Sequence, residues 1–148
     1  MKQMFGNMWD EYNGKDVFVV TTNSFIKSNG ELVMGRGAAK VARDRFQIAL
    51  ALGTLIHSKC GSLGRYGFLG VSRANLAAFQ VKYHFKSPAS LELIGHSTAM
   101  LSEFALENPS LIIHLNYPGI GNGGLPIEEV APIISTLPDN VNVWRFKR

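Results

Sequence analysis

At 148 residues, 46% of them hydrophobic and 18% charged, the chain has the balance of an ordinary globular protein and the length for one sizeable core, so a single domain over residues 1–148 is expected. No apolar run approaches the ~20 residues of a membrane span, the opening "MKQMFGNMWDEYNGKD" lacks the charged-then-apolar order of a signal peptide, and a single cysteine, Cys60, makes neither an intrachain disulfide nor a cysteine metal cluster. The net charge of +4 favours anionic ligands, yet the basic residues are scattered, which argues against a dedicated nucleic-acid-binding patch. A soluble, cytoplasmic protein is expected, with a monomer as the default.

No repeat or Pro/Ser-rich linker divides the chain. "DVFVVTT" (residues 16–22) is a β-branched and aromatic run that reads as a buried strand. Residues 38–52 contain neither Gly nor Pro, and apolar Val41, Ala42, Ile48, Ala49 and Leu52 fall at roughly helical spacing, predicting one helix. "GRYGFLGVSR" (residues 64–73) and "NLAAFQVKYHF" (residues 75–85) read as two strands around a tight turn. Residues 90–107 predict a second helix with Ser90 as its N-cap. "SLIIHLN" (residues 110–116) is another buried strand, residues 126–136 open a helix with Pro126 in its first turn, and "VNVWRF" ends as a strand. Strands alternating with helices predict an α/β fold: a three-layer α/β/α sandwich around a mixed central sheet.

Two glycine-rich stretches, "VMGRGAA" and "YPGIGNGGLP", each lie between a strand and a helix. In open α/β sheets ligands gather at such positions, beyond the carboxyl ends of the strands. Gly35 and Gly37, and then Gly119, Gly121, Gly123 and Gly124, allow close backbone approach and amides aimed at an anion. Either loop alone is as well explained as a tight connection; the pair suits a diphosphate. Neither ends in the Walker Lys-Ser/Thr, and Gly35-Arg36-Gly37 does not continue as G-x-G-x-x-G, so ATP hydrolysis and ordinary dinucleotide binding fall behind.

These stretches resemble the macrodomain family, which binds ADP-ribose. "GNMWD" (residues 6–10) is similar to the family's opening motif, whose polar side chain contacts the adenine; here that is Asn7. "VVTTNS" resembles the strand that ends in an asparagine beside the distal ribose, here Asn23. "VMGRGAA" resembles the loop holding the diphosphate and distal ribose, which implies roles for Met34, Gly35, Arg36, Gly37 and Ala38. "GIGNGGL" resembles the second phosphate loop, bringing in Tyr117, Gly119, Ile120, Gly121, Asn122, Gly123, Gly124 and Leu125. Within the family, "FQVKYHFKSPASLELI" is similar to the antitoxin macrodomains of the DarG type, which reverse ADP-ribosylation of thymidine in DNA. It places Lys82 and His84 on that branch's lysine and histidine, and Ser90 near its serine.

The resemblance implies a hydrolase that removes ADP-ribose from DNA or protein, with Lys82 acting at C1″ and Asn23 orienting the distal ribose, and with no cofactor or metal. A phosphatase acting on ADP-ribose 1″-phosphate and a non-catalytic ADP-ribose reader are the alternatives. The sequence departs from the family's pattern in three places. Asn7 stands where many macrodomains have aspartate, residues 24–34 form a longer link than usual, and Gly123 occupies the place of an aspartate found in related hydrolases.

A lysine that attacks carbon must be an uncharged amine, so Lys82 requires burial or nearby positive charge to lower its pKa. His84 is read as structural, as are His57 in a loop, His96 in a helix and His114 in a strand. Asn122 either faces phosphate or tolerates a left-handed backbone. Arg36 either guards the phosphates or is solvated, and Tyr117 either stacks on the ribose or packs under its loop. Trp9 and Trp144 are read as packing residues.

Overall fold

The computed structural model describes residues 1–72 and 74–146. Six strands form one sheet: β1 (Lys2–Phe5), β2 (Val17–Thr22), β3 (Phe68–Val71), β4 (Leu76–Gln80), β5 (Ile113–Asn116) and β6 (Val141–Arg145). Their order is β1-β6-β5-β2-β4-β3, and every pairing is parallel except β3 with β4. The central strands are buried on both faces, so alternate residues serve two cores. Phe18, Val20, Leu76 and Ala78 face α1 (Gly37–Phe46) and α2 (Ala49–Cys60). Val19, Ala77, Phe79, Ile113, Leu115, Val141 and Val143 face α3 (Leu91–Glu107) and α4 (Ile127–Ile134). This is the expected α/β/α sandwich with a mixed sheet. Among the described residues no helix is long and apolar enough to cross a membrane.

Several elements differ from their sequence expectation. The helix predicted over residues 38–52 is two helices, because Gln47 adopts a left-handed conformation (φ 53°) and its N–H closes α1 on the Arg43 carbonyl. The chain then turns at Ile48 into α2, which runs on to Cys60 and carries His57, so that histidine is helical and not in a loop. β1 has no counterpart in the sequence reading. Of the strand predicted over residues 64–73, Arg73 lies outside the described residues.

β4 stops at Gln80, so Lys82 and His84 stand in a loop and not on a strand. A turn ends the extended run: Ser87 N–H donates to the His84 carbonyl (3.0 Å), and Lys86 N–H to His84 Nδ1 (3.0 Å). Ser90 caps α3 as expected, its hydroxyl accepting from Leu93 N–H. Pro126 is the N-cap residue of α4 and precedes its first turn.

The longer link after β2 is a folded hairpin. Ile26 and Leu32 form an antiparallel bridge, Val33 N–H donates to Phe25 O (3.0 Å), and Leu32 N–H donates to Ala49 O (2.9 Å). Its tip lies so close to α2 that a Cβ on Gly53 would fall 1.9 Å from Gly30 O. Leu32 and Met34 enter the core beside α1 and α2.

Candidate functional site

The five parallel strands point their carboxyl ends the same way, and the segments that follow them enclose a cavity of about 1230 Å³. Residues 6–9 leave β1, residues 33–39 lead from the hairpin after β2 into α1, residues 81–88 follow β4, residues 116–124 follow β5, and residues 144–146 end β6. Antiparallel β3 contributes nothing to the lining. The topology thus gathers both glycine loops and the Lys82 loop at one end of the sheet.

The first loop enters α1 through Gly37, whose φ of +59° is left-handed, and no side chain caps the helix start at Arg36. The amides of the first turn and the positive end of the helix dipole are therefore open toward the cavity. A Cβ on Gly35 would meet nothing of the protein within 4 Å, so packing does not require glycine there. In the second loop the glycines divide by cause. A Cβ on Gly119 would sit 2.6 Å from Ile94 Cδ1, and one on Gly123 would sit 3.0 Å from the Ala89 Cβ, so both are needed for packing. Gly121 (φ +65°) instead faces open space. Among the described residues, the N–H groups of Gly121 and Asn122 have no hydrogen-bond acceptor. Gly123 O accepts from Ala89 N–H (2.8 Å), tying this loop to the Lys82 loop.

Lys82 lines the cavity with its amine 3.5 Å from the Phe85 carbonyl. Partial burial, and secondarily the positive charge of Arg36, lower its pKa. Asn23 is buried and also lines the cavity, but its side chain braces the hairpin. Nδ2 donates to Val33 O (2.9 Å) and Oδ1 accepts from Phe25 N–H (2.8 Å), leaving one N–H and one lone pair uncommitted. Asn7 reaches the cavity at its far end, where its Oδ1 accepts from Trp9 N–H (3.0 Å). Tyr117 is buried under the second loop with its backbone N–H on Trp144 O (2.7 Å); burial raises its pKa, while Arg145 pulls the other way.

Every sequence-predicted site residue except Leu125 lines this cavity. Leu125 packs into the core under α3 and α4, where its Cδ1 would lie 3.0 Å from a Cβ on Gly119. His84 does not line the cavity; it stacks on Phe85 (4.5 Å between centroids) and meets Phe25 edge-on (4.9 Å). Residues that sequence reasoning did not assign to the site also line it: Phe85, Lys86, Arg145, Phe146 and both tryptophans. Phe85 and Lys86 belong to the segment that carries Lys82, which was the one available signal for them. Arg145 ends β6 and Phe146 follows it, with no glycine or motif to mark them.

No protein-family model matches the sequence, and no curated protein matches it. Solved structures do match. The macrodomain of Mycobacterium tuberculosis DarG superposes with a TM-score of 0.72 at 20% identity, covering 98% of each chain. The fold is a macrodomain. The macrodomain of Thermus aquaticus DarG gives a TM-score of 0.66 at 23% identity, over 99% of this chain and 97% of that one. Thermosipho africanus DarTG, in complex with ADP-ribose, gives 0.62 at 17% identity over 89% of this chain and 38% of the other. At these identities the likeness fixes the macrodomain architecture, and the chemistry must be argued from this chain's own cavity.

Proposed function

We propose that this macrodomain binds ADP-ribose in the cavity and hydrolyses an ADP-ribose linkage on a macromolecule. The observation that carries the proposal is Lys82: a lysine in a cavity between two amide-rich loops, its charge disfavoured by burial and by Arg36. A mere binder has no need of a lysine with lowered pKa there. The ADP-ribose complex of Thermosipho africanus DarTG, a structure of the same architecture, supports the ligand.

In this proposal the diphosphate lies against the amides after Gly35 and around Gly121, with adenine toward Asn7 and the distal ribose toward Lys82. Asn23 offers the ribose its remaining N–H and lone pair. The uncharged Lys82 amine bonds to C1″ as the bond from C1″ to the linkage atom breaks, and the proton that the newly bonded nitrogen sheds goes to the departing linkage atom. Water then displaces the amine, releasing ADP-ribose and restoring Lys82.

Around the mouth stand Arg36, Lys82, Lys86 and the half-exposed ring of Phe85, with the Lys86 amine 5.8 Å from that ring's centroid. The cationic rim suits any polyanion, and the half-exposed Phe85 ring beside it adds an aromatic surface that favours a nucleic-acid leaving group over an acidic peptide. DNA is therefore the preferred substrate over protein.

The test offers the purified chain ADP-ribosylated thymidine DNA, ADP-ribosylated protein and ADP-ribose 1″-phosphate, with Lys82→Ala in parallel. Release of ADP-ribose from the DNA, lost in Lys82→Ala, is expected. Phosphate release alone would make the protein a phosphatase, and tight binding of every substrate without product would make it a reader.

A further inference from the structure

Directly behind Asn23 and Lys82 lies a hydrogen-bond network whose central side chains, Ser24, Tyr66 and Gln80, are buried and do not line the cavity. Ser24 and Gln80 are both 0% exposed, and Tyr66 is buried with them. The N–H of Ser24 donates to the Tyr83 carbonyl at 3.1 Å and its hydroxyl donates to the same carbonyl at 3.3 Å. That hydroxyl also accepts from Gln80 Nε2 at 3.3 Å. Gln80 in turn gives Nε2 to Gly64 O (2.9 Å) and, more distantly, to Lys82 O (3.4 Å), while its Oε1 accepts from the N–H groups of Tyr66 (2.8 Å) and Gly67 (3.1 Å). Tyr66 Oη donates to the Asn23 carbonyl at 2.8 Å and meets the Thr22 hydroxyl.

The destinations of these bonds are informative. Apart from Gly64 O, the carbonyls engaged are those of Asn23, of Lys82 and of Tyr83, the residue after Lys82. They belong to two chain segments that leave different strands, β2 and β4, just past the last paired residues Thr22 and Gln80. Past that point the backbones still bond at Val81 N–H to Thr22 O (2.9 Å) and Ser24 N–H to Tyr83 O (3.1 Å), and the Ser24 and Gln80 side chains reinforce this pairing. A residue that only filled space there would have been apolar, because buried polar groups are costly unless every bond is made. Here the polar atoms are matched, and the network is built around the backbones of the two residues that face the cavity.

We propose that Ser24 is a positioning residue, backed by Gln80 and Tyr66, which holds the backbone of Lys82 in fixed relation to Asn23. The assignment rests on the proposed function for the identity of the amine that must be placed. It adds a residue that no ligand reaches: Ser24 does not line the cavity.

The experiment uses the full chain and two variants. Ser24→Ala removes only the hydroxyl, and Ser24→Cys keeps a donor at the same place, weaker and slightly larger. Three quantities are read: the pH midpoint for labelling of the ligand-free Lys82 amine by an acylating reagent, resolved by mass spectrometry; the ADP-ribose affinity; and the thermal midpoint. Ser24→Ala is expected to move the labelling midpoint up toward that of an exposed lysine, and to leave ADP-ribose affinity within about two-fold. Where turnover is measurable, kcat is expected to fall by about ten-fold at unchanged KM, as displacement of a catalytic group by a fraction of an ångström implies. Ser24→Cys is expected to fall between Ser24→Ala and the parent chain, and it carries the test if Ser24→Ala does not fold. An unchanged labelling midpoint in a folded variant, whatever its thermal midpoint, overturns the proposal. Because labelling is read without substrate, a chain that lacks turnover refutes the hydrolase assignment alone and leaves this test standing.

Discussion

Trp144 donates its indole N–H to Nδ1 of His114 at 3.0 Å. With Nδ1 accepting, the ring proton is on Nε2, which lies 2.8 Å from the Asp16 carboxylate. The imidazole is sandwiched in this arrangement, stacked on Phe18 at 4.4 Å, and Phe18 stacks in turn on Trp9 at 5.5 Å. Both tryptophans line the cavity, so the chain Asp16–His114–Trp144 anchors part of its wall in the core under α1 and α2.

Replacing His114 by Ala leaves the Trp144 N–H buried without an acceptor and removes the ring under Phe18. The cavity term and the stranded donor together cost about 2–4 kcal/mol. Asp16→Asn keeps the shape and exchanges only the charged acceptor at a partly exposed site, so it costs no more than about 1 kcal/mol. Urea denaturation of the two variants checks the order, which would be reversed if the carboxylate and not the ring were the anchor.

The glycines of the two loops are expected to separate in mutation. Gly119→Ala places a methyl 2.6 Å from Ile94 Cδ1 at φ +76°, so it lowers stability by about 1–3 kcal/mol. Gly35→Ala meets nothing of the protein and leaves the thermal midpoint nearly unchanged. If a diphosphate lies against that backbone, Gly35→Ala nevertheless weakens ADP-ribose by about ten-fold, roughly the effect of a lost backbone contact. Calorimetry and thermal melts on the same two proteins supply both halves of the comparison.

Lys82 is expected to oppose stability at neutral pH. Its folded-state pKa is lowered by burial and then by Arg36, so between that pKa and the ordinary lysine value the unfolded chain binds the extra proton. Stability therefore rises with pH through that window and is reduced below it. Lys82→Met, which removes the charge and keeps the length, raises the thermal midpoint at pH 7. The gain stays under about 1 kcal/mol because solvent screens much of the group, and it shrinks as pH climbs toward 10. A Lys82→Met protein that melts below the parent at neutral pH would show that the amine is a stabilising contact.

Much of this was legible in the sequence, for physical reasons. β2 is a β-branched and aromatic run, β5 ends the apolar-rich stretch "SLIIHLN", and Ser90 announces α3 with an N-cap that the structure uses. The break between α1 and α2 was not legible: it occurs at Gln47, a residue with no special left-handed preference, without Gly or Pro. β1 is four residues at the sheet edge, too short and too exposed to leave a pattern. The two glycine loops were visible, but composition does not distinguish Gly119, held by Ile94, from Gly35, which faces open space. Scattered basic residues suggested no dedicated nucleic-acid-binding patch, yet folding brings Arg36, Lys82 and Lys86 to one cavity. The hairpin after β2 could be seen only as extra length; its packing on α2 depends on Gly53, far along the chain.

If the cavity at the strand ends is an ADP-ribose site, the free ligand must bind there. Isothermal titration of the purified chain with ADP-ribose tests it most directly, with AMP and ribose 5-phosphate as fragments of the same ligand. Saturable one-to-one binding is expected, tighter for ADP-ribose than for either fragment because both glycine loops engage the diphosphate. No binding at millimolar ADP-ribose, or equal affinity for AMP alone, would contradict it.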